Sequence, residues 1–268
     1  MPKYVRAIPT RFVITDKNEA LRTKESNLPM LLKARLVVLG NFEKDSTFRR
    51  DAPTASLLAQ HMVLAWAASA GGGPRGRKRP VRKLDAKTAF LQGDEISREL
   101  YLRPPAGGIP GVKLPSGCSL KAKVPIYGAG DAARGWWKKI ARSLVAVGWK
   151  PSSIEAATFY LWSKGKELVG VCSTHVDDVL TAGSGAYFEE SIEKLKQLID
   201  FGEDKLLKFQ HCGKLIEQQA DGTIEVSQKE FAMNIKPIVI SPSRRRARTE
   251  PCTPLEITML RQRYGSLA

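Results

Sequence analysis

The chain has 268 residues, enough to bury a core without disulfides or structural metals. Hydrophobic residues make up 43% of it and charged residues 26%, which excludes a collagen, a disulfide scaffold and a wholly disordered chain. Lys and Arg number 43 against 27 Asp and Glu, a net charge of +16 that speaks about partners rather than fold. A polyanion is favoured, nucleic acid first. An anionic membrane surface is the rival, but it usually needs a basic amphipathic helix, and the positive runs here fall in expected loops. No apolar run approaches the roughly 20 residues of a membrane span. The opening MPKYVRAIPTRFVITDK lacks the apolar stretch of a secretory signal.

In chain order, TRFVITD (10–16) and KARLVVL (33–39) read as strands, from β-branched content and partial alternation. Residues 56–70 read as a helix with Ser56 as N-cap, Leu58, Met62 and Trp66 on one face, and Gly71, Gly72 and Gly73 as the stop. The loop GGGPRGRKRPVR follows, with Arg75, Arg77, Lys78, Arg79 and Arg82. Such a run is usually solvated, and contact with a phosphate backbone is the alternative. RKLDA (82–86) reads as a short strand ending in an acid, and residues 104–118 as a Pro- and Gly-rich loop. A helix over 131–147 has Asp131 as cap, Trp136, Ile140 and Leu144 as its stripe and Gly148 as stop. Residues 157–162 and ELVGVCST (167–174) are strands joined through Lys164 and Gly165, and another short strand covers 179–182. Phe188, Ile192, Leu195 and Ile199 mark an amphipathic helix over 185–199. Strands near 213–217 and 223–227 flank a turn at Asp221 and Gly222; residues 228–236 read as helix, and the tail from 241 holds SPSRRRAR. That basic tail reads as a solvated linker, with a nuclear address or a phosphate contact as alternatives. The mixture argues α+β or α/β rather than a barrel or a bundle.

Cys118, Cys172, Cys212 and Cys252 form no C-x-x-C pair and read as reduced thiols. Cys172 with His175, and His211 beside Cys212, can be combined into a zinc site on paper, but the spacing matches no common structural zinc motif. The acids are more informative. Asp85 ends one apolar strand, and Asp177 and Asp178 stand between two others. Carboxylates on neighbouring strands repel unless a cation sits among them. Mg²⁺ takes oxygen ligands and shares them with substrate phosphates, and two such ions about 3.5–4 Å apart serve phosphoryl transfer. Ordinary turn chemistry for Asp177 and Asp178 and helix capping for Asp85 remain open. Spacing alone does not choose between polymerase, nuclease and plain binder.

The order of segments adds a resemblance. IPTRFV (8–13), KARLVVLGNF (33–42), DAPTAS (51–56), LDAKTAFLQGD (84–94) with ELYLRPPAG (99–107), IYGAGDAARGWW (126–137), HVDD (175–178), CGKLIE (212–217) with DGTIEVSQKEFA (221–232), and PCTPLE (251–256) with YGSLA (264–268) run in order along nearly the whole chain. Together they resemble the reverse transcriptase region of copia-type retrotransposon polyproteins. LDAKTAFLQGD is the most specific match, similar to the family's "LDVKTAFLNGD". The resemblance implies an α+β right-hand polymerase core. Residues 1–80 would be fingers and 81–94 palm with the first catalytic Asp. Residues 95–125 would be a finger or loop insertion, and 126–218 palm with the HVDD hairpin and a primer-grip-like hairpin. Residues 219–268 would be a partial thumb and connector.

The resemblance also implies roles. Asp85 matches the first metal-binding aspartate, and Asp177 and Asp178 the catalytic pair. Together they would hold two Mg²⁺ ions, for which Mn²⁺ can substitute. Phe90 matches the bulky gate against a ribose 2′-OH; on spacing alone it reads as a core aromatic. Lys33 and Arg35 match the basic finger strand near the incoming triphosphate. Gly213 falls in the hairpin resembling the primer grip, and His175 stands where the family has the tyrosine of YVDD, near the primer. Trp136 and Trp137 read as helix packing, with base stacking as the alternative. Implied partners are an RNA template, a DNA or RNA primer, dNTPs, and RNase H and integrase segments of the same polyprotein, with no membrane. The setting would be intracellular, in a cytoplasmic particle or the nucleus. His175 for tyrosine, Asp131 for the usual glutamine and Ala133 for proline are departures, and KFQHCGK is one residue longer before its glycine than the family pattern. They leave two alternatives: a catalytically degenerate nucleic-acid-binding remnant, or a subunit needing an RNase H or partner chain. No protease D-[TS]-G or integrase zinc head is seen, so the chain is expected to be a fragment or a truncated gene product.

Overall fold

The computed structural model describes residues 6–265 apart from 20–25, 27, 45–46, 71–77, 234, 236–237 and 248. In chain order come β1 (Ile8–Asp16), β2 (Leu32–Val38), α1 (Leu57–Ala68), β3 (Val81–Ala86), β4 (Tyr101–Arg103), β5 (Leu120–Lys121) and α2 (Ala132–Ala146). Then follow β6 (Trp149–Pro151), β7 (Thr158–Trp162), β8 (Leu168–His175), β9 (Asp178–Gly183), α3 (Ala186–Leu198), β10 (Phe201–Leu206) and β11 (Lys208–His211). The chain continues through β12 (Lys214–Gln218), β13 (Ile224–Ser227), α4 (Lys229–Met233), α5 (Pro242–Arg246) and α6 (Pro254–Gly265). The class is α+β, as expected. No described helix is long and apolar enough to cross a membrane.

Strands assemble into three sheets: β2-β1-β4-β5, β10-β3-β9-β8-β7-β6 and β11-β12-β13. The six-stranded sheet is antiparallel throughout. Strand residues alternate between faces, and this sheet is covered on both. One face carries Leu84, Cys172 and Val179 against Trp136, Ile140 and Leu144 of α2 and Phe188, Ile192 and Leu195 of α3. Each such aliphatic or aromatic side chain contributes roughly 1.5–3 kcal/mol when fully buried. The other face carries Val81, Val171, Leu180 and Ala182 against Val63, Leu64 and Ala67 of α1 and Phe209 and Ile216 of the small sheet. That second covering stops short of one end of β3 and β9, where acidic side chains stand.

Several expectations change. Ser56 caps α1, its Oγ accepting from the Ala59 N–H at 3.1 Å. The buried stripe of α1, however, is Ala59, Val63 and Ala67, while Leu58 is 77% and Met62 39% exposed. The helix is apolar almost all round, so its periodicity does not select a face. Small residues win because they let it approach the sheet closely. The expected stripe of α2 is correct, but Asp131 makes no side-chain cap. Its carboxylate instead accepts two bonds from Arg98, at 2.6 and 2.7 Å. Arg82, read with the basic loop, lies in β3 and is buried. Arg79 of that loop stacks on Trp66, its guanidinium 4.1 Å from the ring centroid. Arg75 and Arg77 lie outside the described residues, as do Gly71 to Gly73, parts of the 228–236 helix and residues 266–268 of YGSLA. Strands β4, β5, β6, β10 and β11 were not expected. FGEDKL in β10 has little β propensity and is a strand because it pairs along β3. In the tail, Arg244 is no solvated linker residue. It binds Glu256 at 2.7 Å and the carbonyls of Ala247, Glu250 and Pro251, tying α5 to α6.

Candidate active site

The acids meet through register. Asp85 of β3 is paired directly with Asp178 of β9, which puts their side chains next to one another on the same face. Asp177 occupies the exposed two-residue turn between β8 and β9, with His175 opposite Asp178. Its carbonyl accepts the Ala86 N–H at 2.8 Å, fastening the turn to β3. The other turn residue, Val176, has φ of +54°. A β-branched side chain is disfavoured in that left-handed region, so the turn needs support. Trp136 supplies it: its buried indole N–H donates to the Val176 carbonyl at 2.6 Å. Trp136 therefore fills the core and also holds the acidic turn.

The charges around these acids do not balance. Lys83, on the same face of β3 as Asp85, places Nζ 3.0 Å from Asp178 Oδ1, 3.7 Å from Asp85 Oδ2 and 3.9 Å from Glu203 Oε2. Burial pushes the Asp178 carboxyl above its usual range; Lys83 opposes this, and Asp85 and Asp177 reinforce it. Asp85 is raised in the same way, by burial first, with Lys83 and Lys33 opposing and Asp177 and Glu203 adding. Burial alone would lower the Lys83 ammonium, but Asp178, Asp85 and Glu203 outweigh it and raise its pKa. One buried ammonium thus stands among carboxylates that outnumber it. The donors are oxygens, which suits a hard divalent ion, and the Lys83 ammonium marks where positive charge is stabilised.

Basic residues lie on β2, with aromatic residues beside them. Lys33 and Arg35 lie two apart, so they share one face of that strand. The Arg35 guanidinium sits 5.9 Å from the Tyr127 ring centroid, and burial raises the Tyr127 phenol while Arg35 opposes the rise. Phe90 packs on Tyr127 with ring centroids 5.0 Å apart. Tyr127 is held there by its carbonyl, which accepts the Val38 N–H at 2.8 Å. The next residue, Gly128, has φ of +86°, and a Cβ on it would stand 2.1 Å from the Val38 carbonyl oxygen. Only glycine permits that approach. Tyr127 thus links Arg35 to Phe90, and Lys33 is near enough to Asp85 to oppose its raised pKa.

Gly213 sits in the turn of the β11–β12 hairpin, where His211 faces Lys214. Cys212 and Gly213 have φ of +48° and +74°, as a two-residue primed turn needs. Space around Gly213 is open. The hairpin reaches the acids through His211, whose Nδ1 is 3.7 Å from Asp178 Oδ2. His175 is half-buried, with Nδ1 3.4 Å from the Ala55 carbonyl oxygen.

Some features stand apart. One cleft, of about 810 Å³, is lined by Arg49, Arg98, Asp131, Arg134, Trp137 and neighbours. None of Lys33, Arg35, Asp85, Phe90, His175, Asp177, Asp178 and Gly213 lines it. Cys172 and His175 cannot form the paper zinc site: three residues apart in β8, they point to opposite faces, and Cys172 is buried in the core. The sequence reading missed Lys83, Tyr127 and Glu203 as site residues, and weighed His211 only beside Cys212 in a zinc site on paper, not beside the acids. Alternation in RKLDA could have placed Lys83 beside Asp85; nothing local points to Glu203 or brings His211 to Asp178, because both come from other strands.

Carboxylates gathered on an antiparallel sheet beside basic strands, in a chain of net charge +16, suit a protein that acts on polyanions. The chain belongs to the reverse transcriptase (RNA-dependent DNA polymerase) family, whose profile matches residues 1–239. It is similar to the retrovirus-related Pol polyprotein from transposon RE2 of Arabidopsis thaliana, 28% identical over 160 residues, which are 59% of this chain and 10% of the relative. It is also similar to the Pol polyprotein from transposon RE1 of the same plant, 27% identical over 185 residues, 68% of this chain and 12% of the relative. The chain spans about a tenth of the length of these relatives.

Proposed function

We propose that this chain is the RNA-directed DNA polymerase part of a retrotransposon polyprotein, adding deoxynucleotides to the 3′-hydroxyl of a primer on an RNA template. The observation that carries the reading is the excess of carboxylate around Lys83: Asp85, Asp177, Asp178 and Glu203 against one buried ammonium. In this reading Asp85, Asp177 and Asp178 hold Mg²⁺, two ions in all. When bound, they would lower the charge on the phosphates and favour the deprotonated 3′-hydroxyl. The 3′-hydroxyl gives its proton to water, its oxygen forms a bond to the α-phosphorus, the bond from that phosphorus to the bridging oxygen breaks, and pyrophosphate leaves. Lys33 and Arg35 bind the triphosphate, and Phe90, braced by Tyr127, limits room at the sugar. His175 and the open turn at Gly213 contact the primer strand.

The division into parts belongs to the same proposal. The six-stranded sheet, with residues 81–94 and 126–218, corresponds to a palm. Residues 1–80 and 95–125, which contribute the four-stranded sheet, correspond to fingers, and 219–268 to a partial thumb and connector. RNase H and integrase segments of a longer polyprotein are the proposed covalent partners.

Primer extension tests the reading. Wild-type protein with Mg²⁺, dNTPs and a primed RNA template should extend the primer, and Asp177→Asn should not. No extension by wild type, under conditions in which a related active enzyme extends, overturns it. Lys83 supports a second reading, a nucleic-acid-binding remnant: its ammonium already neutralises part of the site. That reading expects salt-sensitive binding unaffected by Asp177→Asn.

A further inference from the structure

We infer that Asp178, His211 and Cys212 form a binding site for a transition-metal ion of the Zn²⁺ class, distinct in chemistry from the oxygen-only set of Asp85, Asp177 and Asp178. A carboxylate oxygen, an imidazole nitrogen and the thiol sulfur of these residues lie within 4.8 Å of one another. His211 Nδ1 is 3.7 Å from Asp178 Oδ2, and Cys212 Sγ is 3.5 Å from His211 Nε2. Bonds of about 2.0–2.3 Å to a tetrahedral ion put neighbouring donors some 3.3–3.6 Å apart; with Nδ1 as the ligating nitrogen, the Cys212 side chain must swing from the Nε2 side of the ring toward Asp178 to close the set. Cys212 can make it, being half-buried at the hairpin turn rather than in the core.

The donors also select the ion. A thiolate with an imidazole suits Zn²⁺, whereas Mg²⁺ and Ca²⁺ keep to oxygen. His211 is 2% exposed, and its Nδ1 has no hydrogen-bond partner among the described residues. A buried, unsatisfied ring nitrogen is costly, and an ion would satisfy it. The two oxygens of Asp178 divide the work: Oδ1 faces Lys83 and Oδ2 faces His211. Three protein donors leave one position open to water, as in a zinc site that exchanges ligands.

On binding, the Cys212 S–H bond breaks, the sulfur bonds the ion and the proton goes to solvent, with no change in oxidation state. The ion would join the β11–β12 hairpin to β9 and engage the Asp178 carboxylate that the polymerase reading requires. A Zn²⁺-class ion is therefore an inhibitor of that site. This consequence rests on the proposed function; the binding itself does not.

Co²⁺ is the probe, added to the full chain under a thiol-free reductant with Mg²⁺ in excess. One equivalent should give tetrahedral visible bands and a near-ultraviolet thiolate-to-cobalt band, both removed by Zn²⁺. Cys212→Ser should abolish the thiolate band, His211→Gln should weaken binding by roughly tenfold or more, and Cys172→Ser should change nothing. Unaltered wild-type protein provides a second reading, because Zn²⁺ should protect Cys212 from alkylation while Mg²⁺ does not. A thiolate band that survives Cys212→Ser, or alkylation of Cys212 at the same rate with and without Zn²⁺, overturns the site. Protein that binds Co²⁺ in this way yet extends no primer keeps the metal site and loses the polymerase reading. Protein that extends a primer without a thiolate band does the reverse.

Discussion

Arg82 and Lys83 are neighbours in one strand, both cationic and both buried, yet they face opposite sides of the sheet and different electrostatic situations. Arg82 is matched. Its guanidinium grips both oxygens of Asp204 at 2.6 Å and Glu189 at 3.0 Å, and Lys196 adds a second cation 2.5 Å from Asp204. Those bonds hold the Asp204 carboxyl below its ordinary range. On the other face, Asp85 and Asp178 lie above theirs, because burial and like charge exceed what Lys83 returns. Cation and carboxylate complete one another on the first face, and it behaves as structure. The second face is left wanting positive charge, and strained electrostatics of that kind mark functional sites.

Breaking the matched face should cost most. Arg82→Met strands Asp204 and Glu189 with one fewer cation and should lower stability by about 2–4 kcal/mol, the range for opening a buried pair after allowing for the partial exposure of both acids. Urea denaturation measures it. On the unmatched face, Lys83→Met should lower stability by about 1–3 kcal/mol in chelator. Millimolar Mg²⁺ should restore much of the loss, whereas Arg82→Met should gain nothing from it; thermal melts with and without Mg²⁺ separate the two.

pH sharpens the contrast, because the signs are opposite. Asp204 has a lowered folded pKa, so its contribution is present above the unfolded carboxylate pKa and lost as pH falls through the folded one. Asp204→Asn should destabilise near pH 7 by about 1–2 kcal/mol, with the difference vanishing in acid. Asp85 has a raised folded pKa, so its ionisation opposes folding progressively as pH rises through the interval between its unfolded and folded values. Asp85→Asn should therefore leave stability near pH 7 unchanged or raise it by up to about 1 kcal/mol, while abolishing primer extension. Stability curves of both variants from pH 3 to about pH 8 check the crossing. The smallest effect is Trp136→Phe, which keeps the ring but loses the bond to the Val176 carbonyl. About 1 kcal/mol should be lost, with faster amide exchange at Asp177 as the local sign.

Much of the frame was legible in the chain. The stripes of α2 and α3, the hairpin around HVDD and the strand carrying Asp85 follow from periods of 3.6 and 2, and the structure has them. The face of α1 was not legible, since a helix apolar all round offers no unique stripe. Strand β10 was not legible either, since FGEDKL gains its extended form from β3 and Asp204 gains its partner there. The predicted site residues Lys33, Arg35 and Phe90 were named through resemblance; Tyr127, which joins Arg35 to Phe90, was passed over within its own motif.

By itself, the sequence determined the main helices and the strands with clear periodicity, the positive balance and the alternation that sets Asp85 with Lys83 on one face and Arg82 on the other, because these depend on local geometry and composition. Only the tertiary structure decided which charges are neutralised. Register brought Asp178 against Asp85, β10 supplied Asp204 to one face of β3 and Glu203 to the other, and the β11–β12 hairpin carried His211 to Asp178. Those outcomes depend on distances of a few ångströms between residues far apart in the chain, and electrostatic energy in a buried setting is decided at that range.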